Sequence, residues 1–106
     1  MKKHGHARSG DKPASRTYTI YYAMRYRCNN PKHPHYWRYG GRGITYCKDW
    51  ESFDGFLEWV RTQLNGEEII PKHLSLDRID NDGNYEPVNC RLATDSQQHN
   101  NKRNNR

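Results

Sequence analysis

The chain has 106 residues, of which 18 are Lys or Arg and 12 are Asp or Glu, and its formal net charge is +6 with histidine counted as neutral. A chain of this length forms one small domain with a thin core. No apolar run reaches the roughly 20 residues of a bilayer-spanning helix, and Lys2 and Lys3 are not followed by the apolar stretch of a signal peptide. We therefore expect an intracellular protein whose excess positive charge favours a polyanionic partner.

Both ends of the chain are basic and polar. Residues 1–16 carry five basic residues, one acidic residue and almost nothing apolar, a composition that predicts a flexible tail. Residues 104–106 are predicted to form a second basic tail, with the folded domain over 17–103. Such tails suit contacts with phosphate groups, and the alternative is a solvated tail without a partner. His6 is expected to face solvent or phosphate.

The first predicted helix spans residues 17–28. Ile20, Ala23, Met24 and Arg27 recur there at helical spacing. Four tyrosines surround this stripe, and some of their rings are predicted to complete the core because aliphatic residues are few. Three residues are candidate N-caps of the helix: Ser15, Thr17 and Thr19.

The middle of the chain is predicted to hold a glycine-rich turn and an amphipathic helix. The segment YGGRGITYC at 39–47 indicates a turn that enters a short strand at 44–47. Apolar residues at i, i+3, i+4, i+7 and i+11 then predict a helix over 52–64: Phe53, Phe56, Leu57, Val60 and Leu64. Asn65-Gly66 is predicted to end that helix. Trp50 and Trp59 are expected to cover it.

Residues 74–103 predict the order strand, loop, strand, helix. Residues 74–79 alternate as in a strand, and a turn cluster at 81–84 returns the chain toward a second strand at 91–93. Thr94 is a good N-cap, and Asp95 favours the first turn of the helix that follows. This order is typical of the ββα-metal unit of metal-dependent nucleases.

These residues resemble an HNH-type endonuclease module, in particular that of small phage-encoded HNH-like proteins. The resemblance rests on YGGRGI at 39–44 and on LDRIDN-x-G-x-Y-x-P-x-N-C-R at 76–91, and it extends over the chain from about His4 onward. Residues 74–103 are also similar to the restriction endonuclease PacI, which likewise reads Asp-Arg where most of the superfamily reads Asp-His. The resemblance implies an α+β domain whose ββα-metal unit at 74–103 follows an N-terminal helix, a glycine-rich turn and an amphipathic helix.

The resemblance also implies a metal-dependent DNA endonuclease or nickase that hydrolyses phosphodiester bonds in double-stranded DNA with Mg²⁺ or Mn²⁺. Asp77 corresponds to the strand-borne metal ligand, and Gln98 to the helix-borne metal ligand, which is usually Asn or His. Asn89 corresponds to the middle residue of the HNH motif, which braces the loop through backbone hydrogen bonds. The expected setting is the cytoplasm of a bacterial host cell, with a phage or bacterial source, and the expected assembly is a monomer or homodimer.

Arg78 replaces the first histidine of the motif, which normally deprotonates the attacking water. An arginine cannot act as a base because its pKa exceeds roughly 12, but it can clamp a phosphate or stabilise the transition state. Tyr39 in the glycine-rich turn is the counterpart of the tyrosine that PacI-like sites use for attack, and Tyr46 is its rival. Three alternatives involve no catalysis: a turn-capping Asp77, a surface salt bridge of Arg78 with Asp80 or Glu86, and a packing role for Tyr39.

Basic and amide side chains are predicted to contact DNA: Arg38, Arg42, Arg91, Asn101, Lys102 and Arg103. Trp37, between Tyr36 and Arg38, is placed to pack against the duplex. The three cysteines are odd in number and have no close pairing, so a disulfide framework is not expected. Buried free thiols are favoured over a structural zinc site, whose ligands would be Cys28, Cys47, Cys90 and His33.

Two other functions fit the same sequence. The arginine at position 78 fits a DNA-binding module on the same scaffold that has lost catalysis. A basic phage protein for host takeover or inhibition would need only the charged surface. The nuclease differs from both because it needs a group near Asp77 that activates the nucleophile.

Overall fold

A computed structural model of the chain describes residues 6–7 and 14–104, the last four as backbone only. In this part of the chain the main elements are α1 (Arg16–Asn29), α2 (Phe53–Gln63), β1 (Ser75–Arg78), β2 (Cys90–Ala93) and α3 (Asp95–Asn104). Short 3-10 turns occupy Tyr36–Arg38, Gly40–Arg42, Lys48–Glu51 and Pro87–Asn89. The architecture is a small α+β domain in which helices accompany a two-stranded antiparallel sheet.

Helix α1 begins directly after a capping serine. Ser15 Oγ accepts a hydrogen bond from the Tyr18 amide at 3.1 Å, which satisfies one of the amides that a first helical turn leaves unpaired. The helix ends at Asn29, because Asn30 precedes Pro31 and takes an extended conformation. The predicted helix at 17–28 is confirmed, with one further residue at each end.

Helix α2 lies inside the predicted segment 52–64. Ser52 caps it by accepting a hydrogen bond from the Gly55 amide at 3.3 Å. After Gln63 the chain turns through Asn65, with φ 53°, and Gly66, with φ 93°, the left-handed conformation that ends many helices. Both the helix and its predicted end are confirmed.

The core lies between α1, the turn at Lys48–Glu51 and α2. Its largest fully buried side chains come from these elements and from the segment after α2: Thr17, Met24, Trp50, Phe56, Val60 and Ile70. Tyr21 is buried with them, and its hydroxyl donates to the Trp50 carbonyl oxygen at 2.8 Å. The prediction that tyrosine rings complete the core is confirmed.

Part of the predicted N-terminal tail belongs to the fold. His6 is 4% exposed, and its ring nitrogens lie 2.8 Å from Ser15 Oγ and 3.0 Å from Glu68 Oε1. Arg16 donates to the Leu74 carbonyl oxygen at 2.7 Å. The expectation that His6 faces solvent or phosphate is wrong, because both ring nitrogens have protein partners. Residues 1–5, 8–13 and 105–106 of the predicted tails lie outside the described residues.

The strand predicted at 44–47 is wrong, and a single bridge between Tyr46 and Tyr85 takes its place. The Cys47 amide donates to the Tyr85 carbonyl oxygen at 2.8 Å, and the Tyr85 amide donates to the Thr45 carbonyl oxygen at 2.9 Å. The next amide in such a parallel ladder would be that of Pro87, which has no N–H. On the other side the Thr45 amide donates to the Asn84 side chain at 3.0 Å. The ladder therefore stops after one residue.

The C-terminal part has the predicted order of strand, loop, strand and helix. Strands β1 and β2 pair antiparallel, with Asp77 opposite Arg91 and Arg78 opposite Cys90. Helix α3 follows with a reciprocal cap, since the Gln97 amide donates to Thr94 Oγ1 at 3.2 Å and Gln97 Oε1 accepts from the Thr94 amide at 2.8 Å. No helix within residues 6–7 and 14–104 is long and apolar enough to cross a membrane.

Candidate active site

The loop between β1 and β2 is held by the side chain of Asn89. Its Oδ1 accepts from the Asp80 amide at 2.9 Å, and its Nδ2 donates to the carbonyl oxygens of Asp80 at 3.1 Å and Asn84 at 2.9 Å. A Cβ on Gly83 would lie 2.6 Å from Asn89 Nδ2, so a larger residue there would displace the Asn89 side chain. These bonds brace the loop that joins the two strands.

Asp77 lies in β1 and is 6% exposed. Arg91, its cross-strand neighbour, donates from Nε to Asp77 Oδ2 at 3.0 Å. Arg91 Nη2 also donates to the Gln97 carbonyl oxygen at 3.3 Å, which ties β2 to the first turn of α3. The turn in the loop between β1 and β2 is capped instead by Asp80, whose Oδ1 accepts from the Asp82 amide at 3.0 Å. The turn-capping alternative for Asp77 is therefore wrong.

Arg78 is the other buried charged residue at the end of β1, with 9% exposure. Its Nη1 donates to the carbonyl oxygens of Asn81 and Gly83, both at 2.8 Å. Successive side chains leave opposite faces of a strand, so Arg78 and Asp77 diverge. The guanidinium of Arg78 therefore stabilises the loop from the face opposite the Asp77–Arg91 pair.

Two tyrosine rings and two guanidinium groups meet beside this loop, and we name Arg27, Tyr39, Arg78 and Tyr85 the inner cluster. The rings of Tyr39 and Tyr85 stack with centroids 6.3 Å apart. Arg78 Cζ lies 5.2 and 5.1 Å from the two centroids, and Arg27 Cζ lies 5.1 and 5.7 Å from them. Each cation is attracted by the negative ring faces.

Arg27 is the least satisfied member of the inner cluster. Its Nη2 donates to the Tyr85 hydroxyl at 3.0 Å, whereas its Nε is buried and has no hydrogen-bond partner among the described residues. Burial raises the pKa of Tyr85 even though the Arg27 charge lowers it. The Tyr85 phenol is therefore protonated at neutral pH and accepts the bond from Arg27.

The glycine-rich turn brings Tyr39 to this cluster. A Cβ on Gly40 would collide with the Cys28 carbonyl oxygen and with the Tyr36 ring, so only a glycine lets the turn pack against the C-terminal end of α1. Tyr46, the rival for the attacking group, lies elsewhere. Its hydroxyl accepts from Asn29 Nδ2 at 2.7 Å and from Arg25 Nε at 3.3 Å.

The remaining predicted site residues have separate surroundings. Gln98 Nε2 donates to the Ala93 carbonyl oxygen at 3.2 Å, which leaves Oε1 as an acceptor. Arg42 is exposed and pairs with Asp82 at 3.0 Å, and Arg38 lies over the exposed Trp37 ring, 4.8 Å from its centroid. The side chains of the predicted DNA contacts on α3 lie outside the described residues: Asn101, Lys102 and Arg103.

The proposed zinc ligands do not assemble. In the part of the chain that the structure describes, no group of three or more His, Cys, Asp or Glu side chains is arranged to hold a metal ion. Burial raises the pKa of Cys28 to about 11 and that of Cys90 to about 12. The His33 ring packs edge-on against Tyr26 at 4.9 Å. All three cysteines are free thiols.

Two members of the inner cluster were missed as site residues. Tyr85 lies within the 76–91 motif, but the resemblance assigns it no role. Arg27 continues the apolar stripe of α1, and a charged residue in such a stripe signals that this face of the helix meets something other than a plain core.

Comparison with protein-family models, with curated proteins and with solved structures gives no match. The chemistry that the site allows follows from its own groups. A buried carboxylate paired with a half-buried arginine lies on one face of β1, and two cations with two phenols lie on the other. Such a set is rich in donors for an anionic oxygen and poor in bases.

Proposed function

We propose that the protein is a metal-dependent DNA endonuclease or nickase that hydrolyses phosphodiester bonds. The observation that carries the proposal is the unit formed by β1, the loop braced by Asn89, β2 and the capped helix α3, with the buried Asp77 at its centre. This is the arrangement that the HNH-like resemblance leads one to expect. The positive net charge of +6 adds to it, because double-stranded DNA is a polyanion.

Hydrolysis of a phosphodiester needs an oxygen nucleophile and neutralisation of the charge that develops on the phosphoryl oxygens. Arg78 of the inner cluster would supply a guanidinium group for the second task. Tyr39 would supply or orient the attacking oxygen, since its ring lies 5.2 Å from Arg78 Cζ and 5.1 Å from Arg27 Cζ. Arg78 and Asp77 leave opposite faces of β1, so the phosphate would lie at the end of that strand. There the Arg78 guanidinium, anchored by two loop carbonyl oxygens, and a metal ion at Asp77 would meet it from two sides.

Mg²⁺ accepts one or two carboxylates and keeps several waters, a ligand set to which a carboxylate such as that of Asp77 is suited. Asp77 and Gln98 would hold the ion with one carboxylate and one amide oxygen. When bound, the ion would stabilise negative charge on the phosphoryl and leaving oxygens. Arg91 occupies Asp77 Oδ2 in the structure, so Arg91 would turn to a DNA phosphate when Asp77 takes a metal ligand role.

The test is conversion of supercoiled plasmid to open circles or linear DNA with Mg²⁺ or Mn²⁺ and with EDTA. We expect cleavage only with the metal, and we expect Asp77→Ala to abolish it while DNA affinity stays largely intact, because dispersed basic residues supply most of that affinity. Asp54→Ala is the matched control, since Asp54 is exposed on α2. EDTA-resistant cleavage, or an Asp77→Ala variant as active as the native protein, would refute the mechanism.

A second function has its own support. Asp77 is paired with Arg91, and Arg78 donates to two loop carbonyl oxygens. The carboxylate and the guanidinium that catalysis would need are therefore already bonded within the protein. These contacts favour a DNA-binding module on the same scaffold. Salt-sensitive binding of duplex DNA without cleavage in either metal would support the module over the nuclease.

A further inference from the structure

The outer face of α1 carries a cavity that the proposed cleavage does not use. Its volume is about 340 Å³, within the range of small-ligand pockets, roughly 300 to 1,000 Å³. It is lined by four residues of α1 and two that follow the helix: Tyr22, Arg25, Tyr26, Asn29, Asn30 and Pro31. We name these six residues the outer pocket.

The aromatic rings of the outer pocket are unusually open to solvent. Tyr22 is 59% exposed and Tyr26 is 43% exposed. They are four residues apart, which places them on one side of the helix, one turn above the other. The Tyr26 ring packs edge-on against His33 at 4.9 Å, and the Tyr22 ring lies 6.0 Å from Tyr18. These contacts orient the rings and leave much of their surface available for stacking.

The polar groups of the outer pocket are oriented by Tyr46. Its hydroxyl accepts from Asn29 Nδ2 at 2.7 Å and from Arg25 Nε at 3.3 Å. A guanidinium has five N–H donors and an amide has two donors and an acceptor, so both side chains keep groups for a ligand. An arginine suits a phosphate, and an asparagine suits the edge of a base.

The charge of the outer pocket also selects its ligand. None of its six lining residues is acidic. The groove beside the turn at Lys48–Glu51 differs, because three carboxylates line it: Asp49, Glu51 and Glu58. An anionic ligand with a flat aromatic part is therefore favoured at the outer pocket and opposed at the other groove.

We propose that the outer pocket binds a nucleobase together with its phosphate. The base stacks on Tyr22 and Tyr26, the phosphate lies beside Arg25, and Asn29 faces the edge of the base. Such stacking tolerates any base, because every base has a π face. The ligand is a nucleotide, either within a single strand or free in solution, and the proposal does not depend on cleavage at Asp77.

The test is fluorescence anisotropy of a labelled oligothymidylate with the full chain in EDTA. The double variant Tyr22→Ala, Tyr26→Ala is expected to weaken binding by roughly tenfold or more, whereas Tyr22→Phe, Tyr26→Phe keeps the rings and the affinity. If thymidine monophosphate displaces the labelled strand as effectively as the unlabelled oligonucleotide does, the ligand is a free nucleotide. If only the unlabelled oligonucleotide displaces it, the ligand is single-stranded nucleic acid. Equal binding by the native protein and the alanine variant overturns the proposal.

A second measurement needs no variant. An oligonucleotide containing 5-iodouracil is cross-linked to the native protein, and the modified residues are identified by mass spectrometry. Cross-links at Tyr22 or Tyr26 support the outer pocket, and cross-links confined to other residues overturn it. Repeating the anisotropy with Asp77→Ala separates the two proposals, because strand binding at the outer pocket should be unchanged in this variant. A native protein that binds the strand but does not cleave plasmid contradicts only the proposed nuclease.

Discussion

Helix α1 presents an arginine on each of two faces, and both arginines lie over two tyrosine rings. Arg27 Cζ lies 5.1 and 5.7 Å from the rings of Tyr39 and Tyr85. Arg25 Cζ lies 5.7 and 5.8 Å from the rings of Tyr21 and Tyr46. Residues two apart on a helix are separated by about 200°, so one helix serves an inner cluster and an outer pocket.

The two faces differ in what surrounds the same chemistry. The inner cluster is closed by the β1–β2 loop and has a buried Arg27 Nε without a partner among the described residues. The outer pocket is open, with Tyr22 and Tyr26 at the surface. A cation–π contact stabilises more when it is desolvated. Substitutions in the inner cluster should therefore lower stability, and substitutions in the outer pocket should mainly lower binding.

The largest expected effect is on the rate of cleavage, and it should differ between Tyr39 and Tyr85 of the inner cluster. Tyr39→Phe should lower nicking by orders of magnitude on the proposed function, because it removes only the hydroxyl. Its free energy of unfolding should stay unchanged, since the Tyr39 hydroxyl makes no hydrogen bond to the residues that the structure describes. Single-turnover cleavage of a labelled duplex and urea denaturation measure the two quantities.

Tyr85→Phe is the matched variant for that experiment. It loses the bond from Arg27 Nη2, so the free energy of unfolding should fall by about 1 kcal/mol while nicking is kept. If Tyr39→Phe cleaves at the native rate, Tyr39 is a packing residue and the attacking oxygen comes from another group.

The next largest effect is on stability. Arg78→Ala removes two charge-assisted bonds to loop carbonyl oxygens and two ring contacts, so the free energy of unfolding should fall by about 3 kcal/mol. Arg38→Ala is the control, because Arg38 is exposed beside Trp37, and its change should stay within about 0.5 kcal/mol. Equal effects of the two substitutions in urea denaturation would show that the inner cluster adds no stability.

Local signals explain which elements were predictable. Ser15, Ser52 and Thr94 cap the three helices. Of these, the sequence indicates Thr94 directly and Ser15 as one of three candidates. The apolar spacing in 52–64 and the turn residues at 65–66 depend on neighbours a few positions away. The two strands of the hairpin join through the loop at 79–89, whose turn cluster at 81–84 is visible in the sequence. Each of these features is encoded within a few residues.

The features that were missed are set by residues far apart in the chain. Arg27 and Tyr85 are 58 positions apart, and His6 reaches Glu68 across 62 positions. The strand at 44–47 fails because its partner segment contains Pro87, which the strand's own residues do not reveal. The metal-binding roles of Asp77 and Gln98 and the DNA contacts of the basic side chains stay predictions, which the binding and cleavage experiments test.

A smaller effect tests whether solvent reaches the side of α1 that faces the inner cluster. Burial raises the pKa of Cys28 to about 11, so iodoacetamide at about pH 8 should leave Cys28 largely unmodified in the native protein, because the thiolate is the reactive form. The half-buried Cys47 should react first, although burial raises its pKa too. Mass spectrometry at successive time points measures both rates of modification. Equal rates would show that solvent reaches Cys28 as readily as Cys47.

The buried thiols of Cys28 and Cys90 give a pH dependence with a definite sign. A raised pKa in the folded state means that folding favours the protonated thiol, so the stabilisation is complete below the ordinary thiol pKa. It is lost as pH rises toward about 11 for Cys28 and about 12 for Cys90. Urea denaturation at increasing alkaline pH should show this loss, and Cys90→Ala should reduce its slope.

Substitution of Arg25 in the outer pocket should affect binding more than stability. The hydrogen bond from its Nε to Tyr46 Oη is long at 3.3 Å, so Arg25→Gln should lower the free energy of unfolding by less than about 1 kcal/mol. Its effect on single-strand binding should be visible as salt dependence, because each lost phosphate contact lowers the slope of log affinity against log salt by about 0.7. Arg27→Gln should do the reverse, with a clear loss of stability and an unchanged slope. An unchanged slope in Arg25→Gln would remove the phosphate from the outer pocket and leave only base stacking on Tyr22 and Tyr26.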